Sequence, residues 1–136
     1  MTRTASVLRY TIARPKNRNY IMKTHTLRFR QADKNQFEDA RTGHKSVETR
    51  AASVKYLPIA VGDMLTFVCG KERFSKKVTK RYHWPSIDAM VQEIPFKRIM
   101  PWVASVDELK KSYASYPNYD QKIQEHGIVG FELGSL

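Results

Sequence analysis

Apolar and polar residues alternate along Thr24–Arg30, where Leu27 and Phe29 lie two positions apart between polar neighbours. Successive side chains of a strand point to opposite faces, so this spacing predicts a half-buried β-strand. A short helix with a single large apolar anchor is predicted for Gln31–Thr42. Gly43 follows directly, and glycine is the usual residue just beyond the last turn of a helix. The chain after Gly43 is therefore expected to begin a new element.

Three further strands are predicted in the middle of the chain. The polar segment Gly43–Arg50 is expected to be extended, and Ala51–Pro58 to be a loop. The apolar run Met64–Val68 and the alternating run Phe74–Tyr82 are joined through Gly70–Glu72, a connection of hairpin size. These two runs are therefore predicted to pair as an antiparallel hairpin.

Short helices are predicted between this hairpin and a closing strand at Gly127–Leu133. Pro85 and Ser86 open the first helix. Its apolar residues recur at helical spacing, which is typical of a core-facing stripe: Ile87, Met90, Val91 and Ile94. Ser105–Glu108 has the capping-box pattern of a second helix, and Tyr119–His126 is expected to form one or two more turns. This order predicts an α+β fold, a small β-barrel with short helices inserted between strands.

A compact group of charged residues lies in Gly43–Arg50, with two cations and one carboxylate within six positions. Alternation places Ser46, Glu48 and Arg50 on one face of the predicted strand and Lys45 on the other. Charged side chains are costly to bury unless paired, so the group suits a polar ligand. The candidate ligand-binding residues are Lys45, Ser46, Glu48 and Arg50. The alternative is a solvated edge strand that carries an ordinary Glu48–Arg50 ion pair.

The spacing G-x-K-x-x-E-x-R in Gly43–Arg50, followed by a Gly-Asp turn and the strand Met64–Val68, resembles the ASCH domain. The basic segment Phe74–Tyr82 and the closing Gly127–Leu133 agree with this resemblance. ASCH domains belong to the PUA-like group of small β-barrels. The resemblance implies a PUA-like barrel over residues 22–136 that binds RNA, expected to be single-stranded, or a nucleoside or nucleotide.

The chain has 136 residues, of which 41% are hydrophobic, which predicts one globular domain. Its formal net charge of +11 is uneven, because Met1–Arg30 contains eight Lys and Arg and no acidic residue. The remaining chain holds 16 basic and 13 acidic residues. Residues 1–21 are therefore predicted to be a separate basic leader or flexible tail. A mitochondrial transit peptide and a nucleic-acid-binding arm are the alternatives.

A second candidate surface is the basic hairpin at Lys71–Arg81, which has six cations and one carboxylate. Such a cluster would attract a phosphate backbone without reading its sequence. The candidate nucleic-acid-binding residues are Lys71, Arg73, Lys76, Lys77, Lys80, Arg81 and Tyr82. The alternative is an edge strand that lysines protect against pairing with another chain. Trp84, close to this hairpin, is expected either to stack on a base or, preferably, to plug the barrel.

Lys45 and Glu48 are the catalytic candidates if the protein is an enzyme, since a buried lysine can act as a base beside a carboxylate. The resemblance implies such an enzyme, because some ASCH proteins are amidohydrolases of acetylated cytidine and others are described as ribonucleases. Their amidohydrolase pattern places a threonine nucleophile three residues after the lysine, where this chain has Glu48. The downstream glutamate position falls near Trp102. We therefore expect that the hydrolase mechanism does not transfer intact.

Cys69, the single cysteine, excludes a disulfide framework and favours a reducing, cytoplasmic compartment. The four histidines have no metal-ligand spacing, so neither a metal site nor a cofactor is predicted. Residues 1–21 contain no continuous apolar run, and no membrane association is expected. The oligomeric state is left open.

Overall fold

A computed structural model describes residues 21–136 of the protein. It contains one curled sheet of five strands: β1 (Thr24–Phe29), β2 (Val47–Ala51), β3 (Met64–Cys69), β4 (Glu72–Trp84) and β5 (Ile128–Gly134). Four α-helices accompany it: α1 (Lys34–Thr42), α2 (Ile87–Glu93), α3 (Val106–Ala114) and α4 (Tyr119–His126). Short 3₁₀ turns lie at Gln31–Asp33 and Phe96–Arg98. The predicted α+β fold, a barrel-like sheet with inserted helices, is confirmed.

The strands are ordered β1-β3-β4-β5-β2 across the sheet. β1 pairs with β3 in parallel, and the other three pairings are antiparallel. The sheet curls into a half-barrel, so β1 and β2 are its two edge strands. A barrel that is not closed by strand pairing leaves backbone and side-chain groups of its edges available for other contacts.

Each face of the sheet has its own hydrophobic core, because side chains alternate between faces along each strand. On one face Trp84 and Ile128 pack against residues of α2, α3 and α4, including Met90 and Leu109. On the other face β1, β3 and β5 pack against Phe37 of α1 and the loop before β3. The three helices inserted between β4 and β5 thus cover one face, and α1 covers the other.

The predicted strand over Gly43–Arg50 is confirmed only in its second half, since β2 begins at Val47. Gly43 ends α1 with a left-handed φ of 93°, a conformation that suits glycine. The Lys45 backbone N–H then donates to Asp39 O at 2.9 Å, and the Ser46 N–H donates to Arg98 O at 2.9 Å. These two residues are tied to the end of α1 and to a 3₁₀ turn, so simple alternation does not set the direction of Lys45.

The hairpin of β3 and β4 is confirmed, and β4 extends further than predicted in both directions. A β-bulge shifts its register against β5 between Val78 and Lys80. The extra residue reverses the alternation after it, so Val78 and Arg81 both lie on the α1 side of the sheet. Tyr82 and Trp84 consequently stack in the other core, with ring centroids 5.0 Å apart.

The two predicted helix starts are confirmed by their caps. Ser86 Oγ accepts from the Ala89 N–H at 3.1 Å, and Ser105 Oγ accepts from the Glu108 N–H at 3.2 Å. The Glu108 carboxylate in turn accepts a hydrogen bond at 3.1 Å from the backbone N–H of Ala104, the residue before the capping serine. Each cap satisfies an amide that would otherwise lack a partner in the first turn.

The predicted basic leader, residues 1–21, lies outside the described residues except for Ile21, and its boundary stays a prediction. Over residues 21–136, none of the helices combines the length and apolar character needed to cross a membrane.

Gly130 of β5 is expected to be intolerant of a side chain. A Cβ built there would lie 2.6 Å from Trp84 Cζ3 and 2.7 Å from Trp84 Cη2. We expect Gly130→Ala to lower the free energy of unfolding by about 1–3 kcal/mol, because the buried indole has no room to move. Urea denaturation checks this value. The double variant Gly130→Ala with Trp84→Phe should lose less stability than the two single variants added together, since the smaller ring frees that space. Strict additivity would contradict the proposed clash.

Candidate functional site

A cleft of about 360 Å³ opens where the two edge strands, β1 and β2, approach each other. Phe29 of β1 and Glu48 and Arg50 of β2 form two of its sides. The end of α3, the following loop and α4 close the third side with tyrosines, and Lys45 lies before β2. The cleft therefore lies between the two edge strands of the half-barrel, which do not pair with each other.

Glu48 is the central acidic group of this cleft, and its side chain is only 3% exposed. Its Oε2 accepts a hydrogen bond from Arg50 Nε at 3.0 Å. Its Oε1 lies 3.6 Å from Lys45 Nζ, beyond hydrogen-bonding distance, and has no hydrogen-bond partner among residues 21–136. A buried carboxylate oxygen without a partner is uncommon and calls for a physical explanation.

Lys45 is also buried, and its Nζ donates to the carbonyl oxygen of Ile99 at 2.6 Å. The same ammonium lies 5.8 Å from the centroid of the Trp102 ring. Burial lowers the pKa of Lys45 below its ordinary value, and the neighbouring Glu48 carboxylate opposes this shift. The lysine is therefore partly desolvated and is held next to the free oxygen of Glu48.

Arg50 links the two edges of the sheet. Its guanidinium carbon lies 4.9 Å from the ring centroid of Phe29 in β1 and 5.6 Å from that of Tyr56. A guanidinium over an aromatic face is attracted by the negative charge of the ring face. Because Arg50 is also bonded to Glu48, one side chain connects the carboxylate of β2 to the Phe29 ring of β1.

Three tyrosines at every third position form the helical wall of the cleft: Tyr113, Tyr116 and Tyr119. Tyr113 OH shares a 2.5 Å hydrogen bond with Thr49 Oγ1, and Tyr119 OH accepts from the Ala51 N–H at 3.1 Å. Gln36 Nε2 donates to Tyr116 OH. Burial raises the pKa of all three hydroxyls, so they are neutral at pH 7. The sequence-based candidates omitted them, although their regular spacing was visible.

The structure brings together three of the four predicted ligand-binding residues, Lys45, Glu48 and Arg50, on the cleft. Ser46 lies elsewhere. Its Oγ accepts from Arg98 Nε at 2.8 Å, and Arg98 Nη2 donates to Glu132 Oε2 at 2.7 Å. Ser46 thus takes part in a separate polar cluster that fixes the chain before β2.

The basic hairpin lies apart from the cleft, and none of its predicted residues lines it. Four of its cations are exposed and Lys76 is half-buried; the exposed ones are Lys71, Arg73, Lys77 and Lys80. Arg81 is 4% exposed and donates to the carbonyls of Ile59 at 2.8 Å and Leu57 at 2.9 Å. Tyr82 is buried against Trp84. Arg81 and Tyr82 were predicted to bind nucleic acid, but neither presents its side chain at the surface.

Trp84 is 1% exposed and its Nε1 donates to Glu93 Oε1 at 2.7 Å, so the indole fills the core below α2. Cys69 is buried as well. Within the described part of the chain, no group of three or more His, Cys, Asp or Glu side chains is placed to hold a metal ion.

No known protein family and no curated protein matches the sequence. Two solved structures share its fold. The crystal structure of the hypothetical protein PH0355 aligns with a TM-score of 0.72 over 85% of this chain and 100% of that chain, at 23% identity. The solution NMR structure of PF0455 from Pyrococcus furiosus aligns with a TM-score of 0.66 over 83% of this chain and 97% of that chain, at 21% identity. The chain is similar to both in fold, and at these identities the likeness extends to the fold alone.

Proposed function

We propose that the protein binds RNA or a nucleotide and holds one nucleobase in the cleft. The observation that carries this proposal is the buried Glu48 Oε1, which has no hydrogen-bond partner among residues 21–136. A carboxylate oxygen can only accept, so it is suited to an N–H of a ligand. The exocyclic amino group or ring N–H of a base is such a donor.

The remaining cleft residues complement a base in two further ways. Lys45 Nζ, beside the free oxygen of Glu48, can donate to a ring nitrogen or carbonyl oxygen of the same ligand. Tyr116 and Tyr119, which are partly exposed, supply aromatic surfaces for stacking, which is worth about 1–3 kcal/mol per base. The volume of about 360 Å³ lies within the usual range of small-molecule sites.

The ASCH resemblance of Gly43–Arg50 supports the same proposal, because three of its charged positions meet in the cleft. On this interpretation the domain is an ASCH module of the PUA-like group. The exposed cations of the hairpin would hold a phosphate backbone outside the cleft. A reducing, cytoplasmic setting is proposed with it, since the only cysteine, Cys69, is buried and unpaired.

Removing the negative charge of the carboxylate acceptor, or removing the stacking surface, should weaken binding. We expect Glu48→Gln and Tyr116→Ala each to lower affinity for short single-stranded RNA by roughly tenfold or more, since a hydrogen bond to a charged group and a stacked base each contribute above 1 kcal/mol. Fluorescence anisotropy with the full chain measures this affinity. Lys111→Ala is the matched control, because Lys111 is an exposed cation outside the cleft.

The double variant Lys76→Glu with Lys80→Glu separates the hairpin from the cleft in the same assay. It should weaken all RNA sequences by a similar factor and leave base preference unchanged, because phosphate contacts carry no base information. If the cleft variants bind like the parent while this double variant does not, the base-binding role of the cleft is wrong.

A second candidate function is hydrolysis of a modified nucleoside, such as acetylcytidine, or of RNA. The observation that favours it is the 3.6 Å separation of Lys45 Nζ and Glu48 Oε1. Alternation had placed these residues on opposite faces, and the non-strand course of the chain at Lys45 and Ser46 brings them together. A partly desolvated lysine next to a carboxylate is an arrangement that acid–base catalysis uses.

The amidohydrolase pattern nevertheless lacks its threonine, since Glu48 occupies that position. Thr49 is adjacent, but its hydroxyl is already bonded to Tyr113 OH. We therefore expect no turnover of acetylcytidine by the purified protein, measured by chromatography of the released cytidine. Turnover that Lys45→Ala reduces by about a hundredfold to ten-thousandfold would establish the enzyme and overturn this expectation. Turnover that survives Lys45→Ala would come from another site or a contaminant.

The buried Lys45 should also make stability depend on pH. Its pKa is lowered in the folded protein, whereas an unfolded lysine has a pKa of about 10.4. Between these two values the unfolded chain binds more protons, so stability rises with pH. We expect the parent to gain stability relative to Lys45→Met between pH 7 and pH 10, measured by urea denaturation at each pH.

The difference between parent and variant isolates Lys45, because the tyrosines with raised pKa values are the same in both proteins. Lys111→Met is the control, and its curve should run parallel to that of the parent, since Lys111 is exposed. If the free energy of unfolding of Lys45→Met changed with pH in parallel with that of the parent, the lowered pKa of Lys45 would be wrong.

A further inference from the structure

The charged residues of the cleft have an uneven distribution. Five cations and two carboxylates line it: Arg28, Arg30, Lys45, Arg50, Lys122, Asp33 and Glu48. This excess of positive charge favours an anionic ligand over a neutral one. A neutral nucleoside would leave the excess uncompensated.

Three of these cations already have partners. Lys45 is bonded to Ile99 O, and Arg50 to Glu48. Arg30 donates through its Nε to Asp33 Oδ2 at 2.7 Å. Each side chain is therefore held by a contact within the fold. Lys45 Nζ keeps further N–H groups for a base, and the unpaired positive charge for a phosphate must come from the other two cations of the cleft.

Arg28 and Lys122 are the other two cations, and both side chains are exposed. Neither side chain has an ion-pair, hydrogen-bond or ring partner among residues 21–136. Arg28 belongs to β1, and Lys122 lies one helical turn after Tyr119 on α4, so two separate elements supply them. Two exposed cations thus line the cleft, whereas the Glu48 oxygen that lacks a hydrogen-bond partner among the described residues is buried.

The difference in burial between Glu48 and these two cations predicts the orientation of a ligand in the cleft. A phosphate at the buried end would be repelled by Glu48, whereas a base N–H would be accepted there. A phosphate between Arg28 and Lys122 would meet two exposed cations whose side chains have no partner within the described residues. We propose that the cleft binds a nucleotide with its base towards Glu48 and its phosphate between Arg28 and Lys122. This inference rests on the proposed function and adds the residues that bind the phosphate.

The phosphate can come from a free nucleotide or from the backbone of RNA, and two kinds of probe distinguish these sources. Cytidine 5′-monophosphate and adenosine 5′-monophosphate present a phosphate monoester, and the dinucleoside phosphate CpA presents a diester. Calorimetry with the full chain at 50 mM salt compares them with cytidine and adenosine. We expect the phosphorylated probes to bind about tenfold or more tightly than the nucleosides, since a charge-assisted hydrogen bond contributes above 1 kcal/mol. The tighter of the monoester and diester identifies the source.

Two variants assign this preference to the exposed cations. Arg28→Ala and Lys122→Ala should each reduce affinity for the monophosphates about threefold to tenfold more than affinity for the nucleosides, because each removes one phosphate contact. Lys111→Ala should change neither affinity. Raising the salt concentration to 200 mM should reduce the ratio of monophosphate affinity to nucleoside affinity in the parent, because salt screens the charges.

Equal affinity of the parent for nucleosides and monophosphates would overturn the inference while leaving base binding in place. Loss of nucleoside and monophosphate affinity by the same factor in Arg28→Ala and Lys122→Ala would also overturn it. No binding of nucleosides, monophosphates or short RNA would show that the proposed function itself is wrong. Thermal melting of each variant identifies any that fails to fold, and for such a position Arg28→Gln or Lys122→Gln replaces the alanine variant.

Discussion

The ion pair between Glu48 and Arg50 is the interaction on which the site depends. Burying a carboxylate is costly unless a cation and hydrogen bonds compensate it, and Arg50 supplies one such bond at 3.0 Å. Arg50 in turn lies over Phe29 of the opposite edge strand. Arg50 of β2 therefore contacts both the buried carboxylate and the aromatic ring that β1 contributes. Lys45 adds a second cation beside the same carboxylate, 3.6 Å from its free oxygen.

The position of the cleft follows from the incomplete closure of the sheet. β1 and β2 are the two edges of a five-stranded half-barrel, and they approach without pairing. Edge strands offer unpaired groups that proteins usually cover, and here α3, α4 and the chain between them cover the gap with Tyr113, Tyr116 and Tyr119. The covering is aromatic and hydroxylated rather than aliphatic. The gap therefore forms a polar cleft with stacking surfaces instead of an extension of the core.

Local patterns predicted most elements, and they failed where a distant contact or a one-residue irregularity intervened. β1, β3 and α2 follow from apolar spacing and caps within a few residues of each element. Lys45 lies outside the strand predicted for it, because its backbone N–H donates to Asp39 O of α1. The side chain of Arg81 is buried because the bulge after Val78 reverses alternation, and its guanidinium donates to carbonyls of the loop before β3. Neither the bond to Asp39 nor the bulge can be predicted from residue type alone.

The sequence by itself determined the α+β barrel-like architecture and marked Lys45, Glu48 and Arg50 as candidate residues, because hydrophobic spacing and residue type are local properties of the chain. Only the tertiary structure decided that Lys45 lies beside Glu48, that Ser46 contacts Arg98 instead, that three tyrosines line the cleft, and that Arg28 and Lys122 line it with exposed side chains. These contacts join residues more than 50 positions apart, such as Thr49 with Tyr113. Sheet order and curl bring such residues together, and both depend on how all five strands pair rather than on any one segment.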